Sequence, residues 1–371
     1  MQVSANMKLV NLSNNYEYDI FDVHELKCVR NIELLGVLRM ETDVKIVALG
    51  GGTGLSILLR GLKKVTSDVT AIVSVADDGG GSGVLREDLG MLPPGDIRSC
   101  ILALANTEPI MEDLIKYRFS EGGLKGQSFG NLLIAALVGI SGSFETAIEK
   151  ISDIVAITGR VLPVTPSEMT LLAELEDGQI VEGESMIPVR VLETGQIIHK
   201  ITTKEKNIKA LPDAIKAIEE ADIVVMGPGS LYTSIIPNLL VDGILEALIT
   251  TKAKRVYIPN LMTQPGETDD YSVAEHVNAL MEHGSVDMID LVLVNNAIIS
   301  DDHLEYYEAE GSIPVYLTDA DRKYLDGLGI GVMTQNFMEV SKGYVRHDAK
   351  RIANALVEMV DTKVYRKLLD E

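Results

Sequence analysis

Three consecutive glycines in KIVALGGGTGLSILLRGL, residues 45 to 62, end an apolar run and lead into a helix-like pattern. A strand that breaks into glycine before a helix leaves unpaired N–H groups facing outward at the positive end of the helix dipole, which suits a phosphate. Gly51, Gly52, Thr53 and Gly54 form that turn. Gly50 and Gly52 match the first two glycines of the dinucleotide fingerprint G-x-G-x-x-G, but Leu55 stands where the third should be. As a nicotinamide signature the run is therefore weak. The plain alternative is a tight turn of purely structural purpose.

Other stretches carry comparable chemistry. ADDGGGSG, residues 76 to 83, places Asp77 and Asp78 25 and 26 positions after Gly52, close to where a dinucleotide-binding domain keeps its ribose-binding acid. Two acids followed by glycines from Gly79 onward also make a longer loop than ribose recognition needs. Such a loop can bring carboxylates to a substrate hydroxyl or to a Mg²⁺ ion beside a phosphate, or it can be a solvated acidic turn. MGPGSLYTSIIPNLL, from Met226, echoes the first loop. Its Gly227, Gly229, Ser230, Thr233 and Ser234 offer amides and hydroxyls without charge, which fits a pyrophosphate or a sugar. Two such loops at the carboxyl ends of strands in one sheet should converge on one crevice. In PNLMTQPGETDD, Asn260, Thr263 and Gln264 are candidates for reading a base or sugar edge, whereas Thr268 to Asp270 equally suit a helix entry. GQSFGNLL sets Gly130 and Asn131 in the first turn of a helix, where Asn131 is either a cap or a ligand contact.

The elements that must position these residues follow from periodicity. KIVALG and DVTAIVSVAD read as buried parallel strands joined by the helix LSILLRGLKK, a β-α-β unit. Helical segments follow, the first with Asp96 as its expected N-cap after PPG, and the apolar run from Asn131 reads as a buried helix. Apolar runs flanking Asp177-Gly178 predict a hairpin. Strand and helix then alternate through DIVVMG, LLVDGILEALIT, KRVYIPN, SVAEHVNALMEH and DLVLVNN, with Ser272 and Glu275 as a capping box. The pattern predicts an α/β, Rossmann-like, doubly wound, mostly parallel sheet with a helical and β-hairpin insertion. The expected spans are an N-terminal extension at 1–42 of unassigned role, the first part of the core at 43–95, the insertion at 96–205, and the second part of the core with a C-terminal helix at 206–371.

The 371 residues are 46% hydrophobic with a formal net charge of −22, a balance that argues against a nucleic-acid backbone or an anionic membrane surface as main partner. Cys28 and Cys100 form no C-x-x-C and no signal peptide is evident, so a reduced, cytoplasmic setting is expected. The six histidines show no metal-ligand spacing, and neither a G-x-S-x-G elbow nor a P-loop lysine motif occurs. No cofactor or metal is assigned from these motifs, with Mg²⁺ left open beside the acids.

GGGTGLSILLRGL, VADDGG, PPGDIR, YRF, GNLL, GPGSLYTS and NLMTQPGETD, in this order, resemble the YvcK-type gluconeogenesis factors, a branch of the CofD-like superfamily that includes the 2-phospho-L-lactate transferases. The resemblance runs from about Val44 to about Leu356 and leaves residues 1–42 outside it. It implies a Rossmann-like core, a cytoplasmic location and binding of UDP-sugars such as UDP-N-acetylglucosamine. It also implies a part in cell shape and cell-wall synthesis during gluconeogenic growth, an envelope-synthesis protein as partner, and a homo-oligomer. The related transferases implied as the alternative move a phospholactyl group from a guanylyl-activated donor to a deazaflavin alcohol with Mg²⁺. By position, the nucleotide-side loops are Gly50 to Gly54 and Gly227 to Ser230, with Tyr232 and Thr233 following. Asp77 or Asp78 corresponds to the acid that activates the acceptor in an enzyme. A diphosphate between the loops would receive hydroxyls from Thr53, Ser230 and Thr233, with Arg60, Arg86 or Arg98 adding charge. The usual GHSLGN or GHNLGN reads GQSFGN here, with Gln127 for His and Phe129 for Leu, and the usual DDGGSSG has Gly81 in place of a Ser.

Overall fold

The computed structural model describes residues 44–370; the extension at 1–42, with Cys28, lies outside the described residues. Twelve strands are present among them: β1 Ile46–Gly50, β2 Val69–Val73, β3 Arg160–Pro163, β4 Leu171–Leu175, β5 Ile180–Glu182, β6 Ile198–Thr203, β7 Ile223–Met226, β8 Lys254–Tyr257, β9 Leu291–Asn295, β10 Gly331–Gln335, β11 Met338–Ser341 and β12 Tyr344–His347. Seven form one sheet in the order β10-β9-β8-β7-β1-β2-β3, and every pairing in it is parallel. The chain builds outward from β1 through β2 to β3, then returns to the other side of β1 and builds through β7 to β10. The reversal leaves a crevice between the carboxyl ends of β1 and β7, the place where open α/β sheets bind ligands.

The strands β1, β2 and β7 are buried along their whole length, as expected for central parallel strands covered by helices on both faces. Helix Gly52–Leu62 packs on helices Gly95–Leu104 and Ala349–Asp370. A Cβ on Gly61 would lie 2.1 Å from the Ala349 carbonyl oxygen, so only glycine allows that helix approach. The core runs continuously from Val44 to Val357.

The Asp177-Gly178 turn joins β4 to β5 as expected, and β6 completes a three-stranded antiparallel sheet. A second hairpin, β11–β12, follows the last strand of the main sheet. The Ser272–Glu275 capping box is present on helix Val273–His283. Several expectations differ in detail. Within the span 96–205, β3 is the edge strand of the main sheet, paired to β2, because its alternation of buried and exposed residues suits a sheet edge. The segment LLVDGILEALIT is broken, with a helical turn Ile236–Leu239 and a separate helix Ile244–Thr250 on either side of Gly243, at φ +100°. The apolar helix Phe129–Ser141 lies on the surface: Ile134 and Leu137 are buried, but Ile140 is 74% exposed. Asp96 is inside the first turn of helix Gly95–Leu104 and does not cap it.

No helix among the described residues is long and apolar enough to cross a membrane.

Candidate functional site

The two glycine loops meet. β1 ends at Gly50 and the chain turns through Gly51 into its helix with Gly52 at φ +61°, while β7 ends at Met226 and turns through Gly227 at φ +79°. A Cβ on Gly54 would lie 2.4 Å from the Pro228 carbonyl oxygen, and one on Gly51 would lie 3.3 Å from Ser234 Oγ. The approach of Gly54 to the Pro228 backbone is available only to glycine. Asn238, fully buried, donates from Nδ2 to both the Gly50 carbonyl (3.3 Å) and the Ser234 carbonyl (2.8 Å), tying one loop to the other.

The loop after β8 joins them. Asn260 Oδ1 accepts the Gly229 N–H at 3.2 Å, and Gln264 Oε1 accepts the Ser230 hydroxyl at 2.8 Å. Thr263 is 3% exposed and exchanges two hydrogen bonds with the Ile313 backbone, at 2.8 and 2.9 Å, so its polar atoms serve the chain path. Tyr232 is likewise buried, its hydroxyl 2.8 Å from that of Tyr271.

Beside Thr53, Gly54 and Asn260 opens a cavity of about 210 Å³. Its far wall comes from Tyr307 and from the β11–β12 hairpin, with Val345, Arg346 and His347. The Arg346 guanidinium lies 5.4 Å from the centre of the Tyr344 ring. His347 bonds the Pro259 backbone, and burial pushes its imidazole down to about 4, so it is neutral at pH 7. Tyr307 and Arg346 have no motif around them and stand far along the chain from the glycine loops, so sequence reasoning missed them. The arginines named from sequence are committed elsewhere. Arg60 pairs with Glu112, Arg86 donates to Thr170, and Arg98 donates to Ser128 and Asn131.

On the other side of the loops stands a group of carboxylates. Asp77 Oδ1 accepts the Gly79 N–H and Asp78 Oδ1 accepts the Ser185 N–H, each at 2.9 Å. Asp96, missed as a site residue, accepts the Gly52 N–H; burial and the neighbouring Asp77 push its carboxyl up to about 7. Glu184 is pushed well above the usual carboxylate range by burial and by Asp77, Asp96, Asp78 and Glu267. Glu267 lies 4% exposed behind the second loop. No group of three His, Cys, Asp or Glu among the described residues is arranged to hold a metal ion. Asn131 is 2% exposed, bonded to Arg98 at 2.7 Å and to Ser82 at 3.5 Å, and its backbone N–H is capped by Ser128. Next to it, Gln127 Oε1 is buried without a partner, and a Cβ on Gly81 would lie 2.7 Å from it. Gln127 and Gly81, two of the three positions that depart from the usual motifs, thus face each other across one contact.

Residues 46–338 match the family described as 2-phospho-L-lactate transferase CofD. The chain belongs to the CofD family. Within it, the chain is 53% identical over 323 residues to a protein of Clostridium acetobutylicum named putative gluconeogenesis factor, covering 86% of this chain and 71% of that one. It is 47% identical over 317 residues to the gluconeogenesis factor of Bacillus subtilis, covering 85% of this chain and 98% of that one. The crystal structure of a UPF0052 family member from Bacillus halodurans superposes with a TM-score of 0.80 at 44% identity, over 84% of this chain and 99% of that one. These relatives place the chain in the gluconeogenesis-factor branch of the CofD family.

Proposed function

We propose that this CofD-family chain is a nucleotide-sugar-binding regulatory factor whose ligand is a UDP-sugar of the UDP-N-acetylglucosamine kind. The observation that carries the reading is the meeting of two uncharged glycine loops at the β1/β7 reversal, with the Arg346 cavity opening beside them. In this reading the diphosphate lies against Gly51 to Gly54 and Gly227 to Ser230, where the Thr53 hydroxyl and the loop amides not taken by Leu49, Asp96 or Asn260 hold it within an acidic chain. Asn260 and Gln264, with Tyr307 and Arg346, recognise the uridine side. Asp77, Asp78 and Gly79, with Asn131 behind them, lie toward the sugar. A cytoplasmic setting, an envelope-synthesis partner, self-association and a part in cell shape during gluconeogenic growth belong to the same proposal. The names of the relatives support the metabolic link.

A second reading, a Mg²⁺-dependent transferase using a nucleotide-activated donor, is favoured by the family's description and by the convergence of Asp77, Asp96 and Glu184 beside the loops. Phosphorus NMR of UDP-N-acetylglucosamine with the purified protein and Mg²⁺ separates them. Diphosphate resonances that shift or broaden while the ligand stays intact are expected for the regulator. Conversion to UDP or UMP would replace that reading with the enzyme.

A further inference from the structure

Behind the second glycine loop, Glu267 makes contacts that the nucleotide-sugar reading does not use. Its Oε2 accepts the Tyr232 N–H at 3.2 Å. Its Oε1 accepts the Thr233 hydroxyl at 3.0 Å and the Gln264 amide at 2.7 Å, and the Thr233 N–H is a further donor. Gln264 in turn holds Ser230. A single buried carboxylate thereby fixes the loop's polar groups, Ser230, Thr233 and Gln264. Every donor to it is neutral. The titratable groups facing it are Glu184, from the segment preceding helix Met186–Thr194, and the Tyr232 phenol, from the turn Leu231–Ile235; neither is a cation.

A buried carboxylate held only by dipoles already occupies amides that a helix start would otherwise offer to a ligand anion. A diphosphate on Gly229 and Ser230 adds negative charge on the same loop, where like charges favour the neutral acid. We infer that Glu267 is a positioning residue that presets this loop as an internal anion and takes up one proton from solvent when the diphosphate binds. The step forms one O–H bond on the carboxyl and breaks one bond to hydrogen in the hydronium ion or buffer acid that supplies the proton, whose conjugate base is released to solvent. The inference rests on the nucleotide-sugar reading. Burial pushes the Glu267 carboxyl up to about 7 in the free protein, so a modest further rise moves it across neutrality. With the bound value higher still, affinity weakens as pH rises above about 7, by up to about tenfold per unit, and is flat below it.

The test is calorimetric titration of the full chain with UDP-N-acetylglucosamine, whose diphosphate diester has no proton to lose near neutrality. It is run at pH 7.5 in two buffers of different ionisation enthalpy. Uptake of about half a proton or more per ligand is expected. A new protonated-carboxyl band should accompany it in the infrared difference spectrum, and both should vanish in Glu267→Gln. Binding without proton uptake overturns the inference, as does uptake without that band, or uptake undiminished in a folded E267Q variant. The wild-type measurements decide the matter even if that variant fails to fold. Absence of binding at every pH overturns the nucleotide-sugar reading itself, and this inference with it.

Discussion

Gly54 and Gly61 lie on one helix and both stand where a Cβ has no room, but they do different work. Gly54 abuts Pro228 in the second glycine loop, whereas Gly61 abuts Ala349 in the C-terminal helix. Substitution of either by alanine should cost roughly 1–3 kcal/mol through overpacking. Only Gly54→Ala should also weaken UDP-sugar binding beyond what the lost folded fraction explains, which thermal melts and titration calorimetry on both variants will show. Arg346, from the hairpin, lines the cavity with its guanidinium over the Tyr344 ring and forms no ion pair among the described residues. Arg346→Ala should weaken UDP-N-acetylglucosamine binding by roughly 1.5–3 kcal/mol, the range for a hydrogen bond to a charged group, with the melting temperature little changed. Equal affinity in the variant would remove the hairpin from the site.

Between elements, Asp96 is the informative residue. It belongs to helix Gly95–Leu104 yet accepts the N–H of Gly52 at the start of a different helix, so one element supplies the other's cap. Its raised carboxyl means that ionisation at pH 8 is resisted by burial and by Asp77. Asp96→Asn keeps an oxygen for Gly52 and removes the charge. The advantage of the variant over wild type should begin above the unfolded-chain value of 3.8 and grow by roughly 2–3 kcal/mol between pH 5 and pH 8, because the wild-type unfolded chain is ionised across that window while the folded acid stays neutral up to about 7. Urea unfolding at the two pH values checks this. A variant less stable at both would mean that the charge itself supports the loop.

For the whole molecule, the shifted groups pull in opposite directions. Asp96 and Glu267 have folded values of about 7 against ordinary values of 3.8 and 4.5, so the native state holds more protons than the unfolded chain in that window. Their contribution to stability falls as pH rises through it. His347, down to about 4 from 6.5, binds fewer protons folded than unfolded, so its contribution rises with pH over that window. Between about 4.5 and 6.5 the imidazole offsets one of the two carboxyl groups, and above that only the carboxyl groups remain. The urea midpoint should therefore be lower at pH 8 than at pH 6.5, and the double variant D96N/E267Q should flatten that difference. A wild-type midpoint that climbs steadily to pH 8 would contradict the carboxylate assignment.

Local order decided what could be read without coordinates. The glycine breaks after Leu49 and Met226, the strand and helix alternation, the Asp177-Gly178 turn and the Ser272–Glu275 box each depend on neighbours a few residues away. Each stands in the fold as its own residues dictate. Where the expectation slipped, a longer-range partner was responsible. PPGDIR alone points to Asp96 as the cap of its own helix, because nothing in those residues shows that Gly52 lies across from it. The run from Asn131 was expected inside because apolarity does not say which side of the sheet receives further cover. The convergence of Asp77, Asp96, Glu184 and Glu267, and the placing of Arg346 beside Thr53, come from the packing of the small antiparallel sheet and the β11–β12 hairpin around the main sheet as well as from its strand order. Sequence alone determined that two glycine loops end strands of one sheet, the feature on which the diphosphate proposal rests. Only the tertiary structure decided which carboxylates already occupy their amides and which cation stands beside them, because these contacts join segments separated by tens to hundreds of residues.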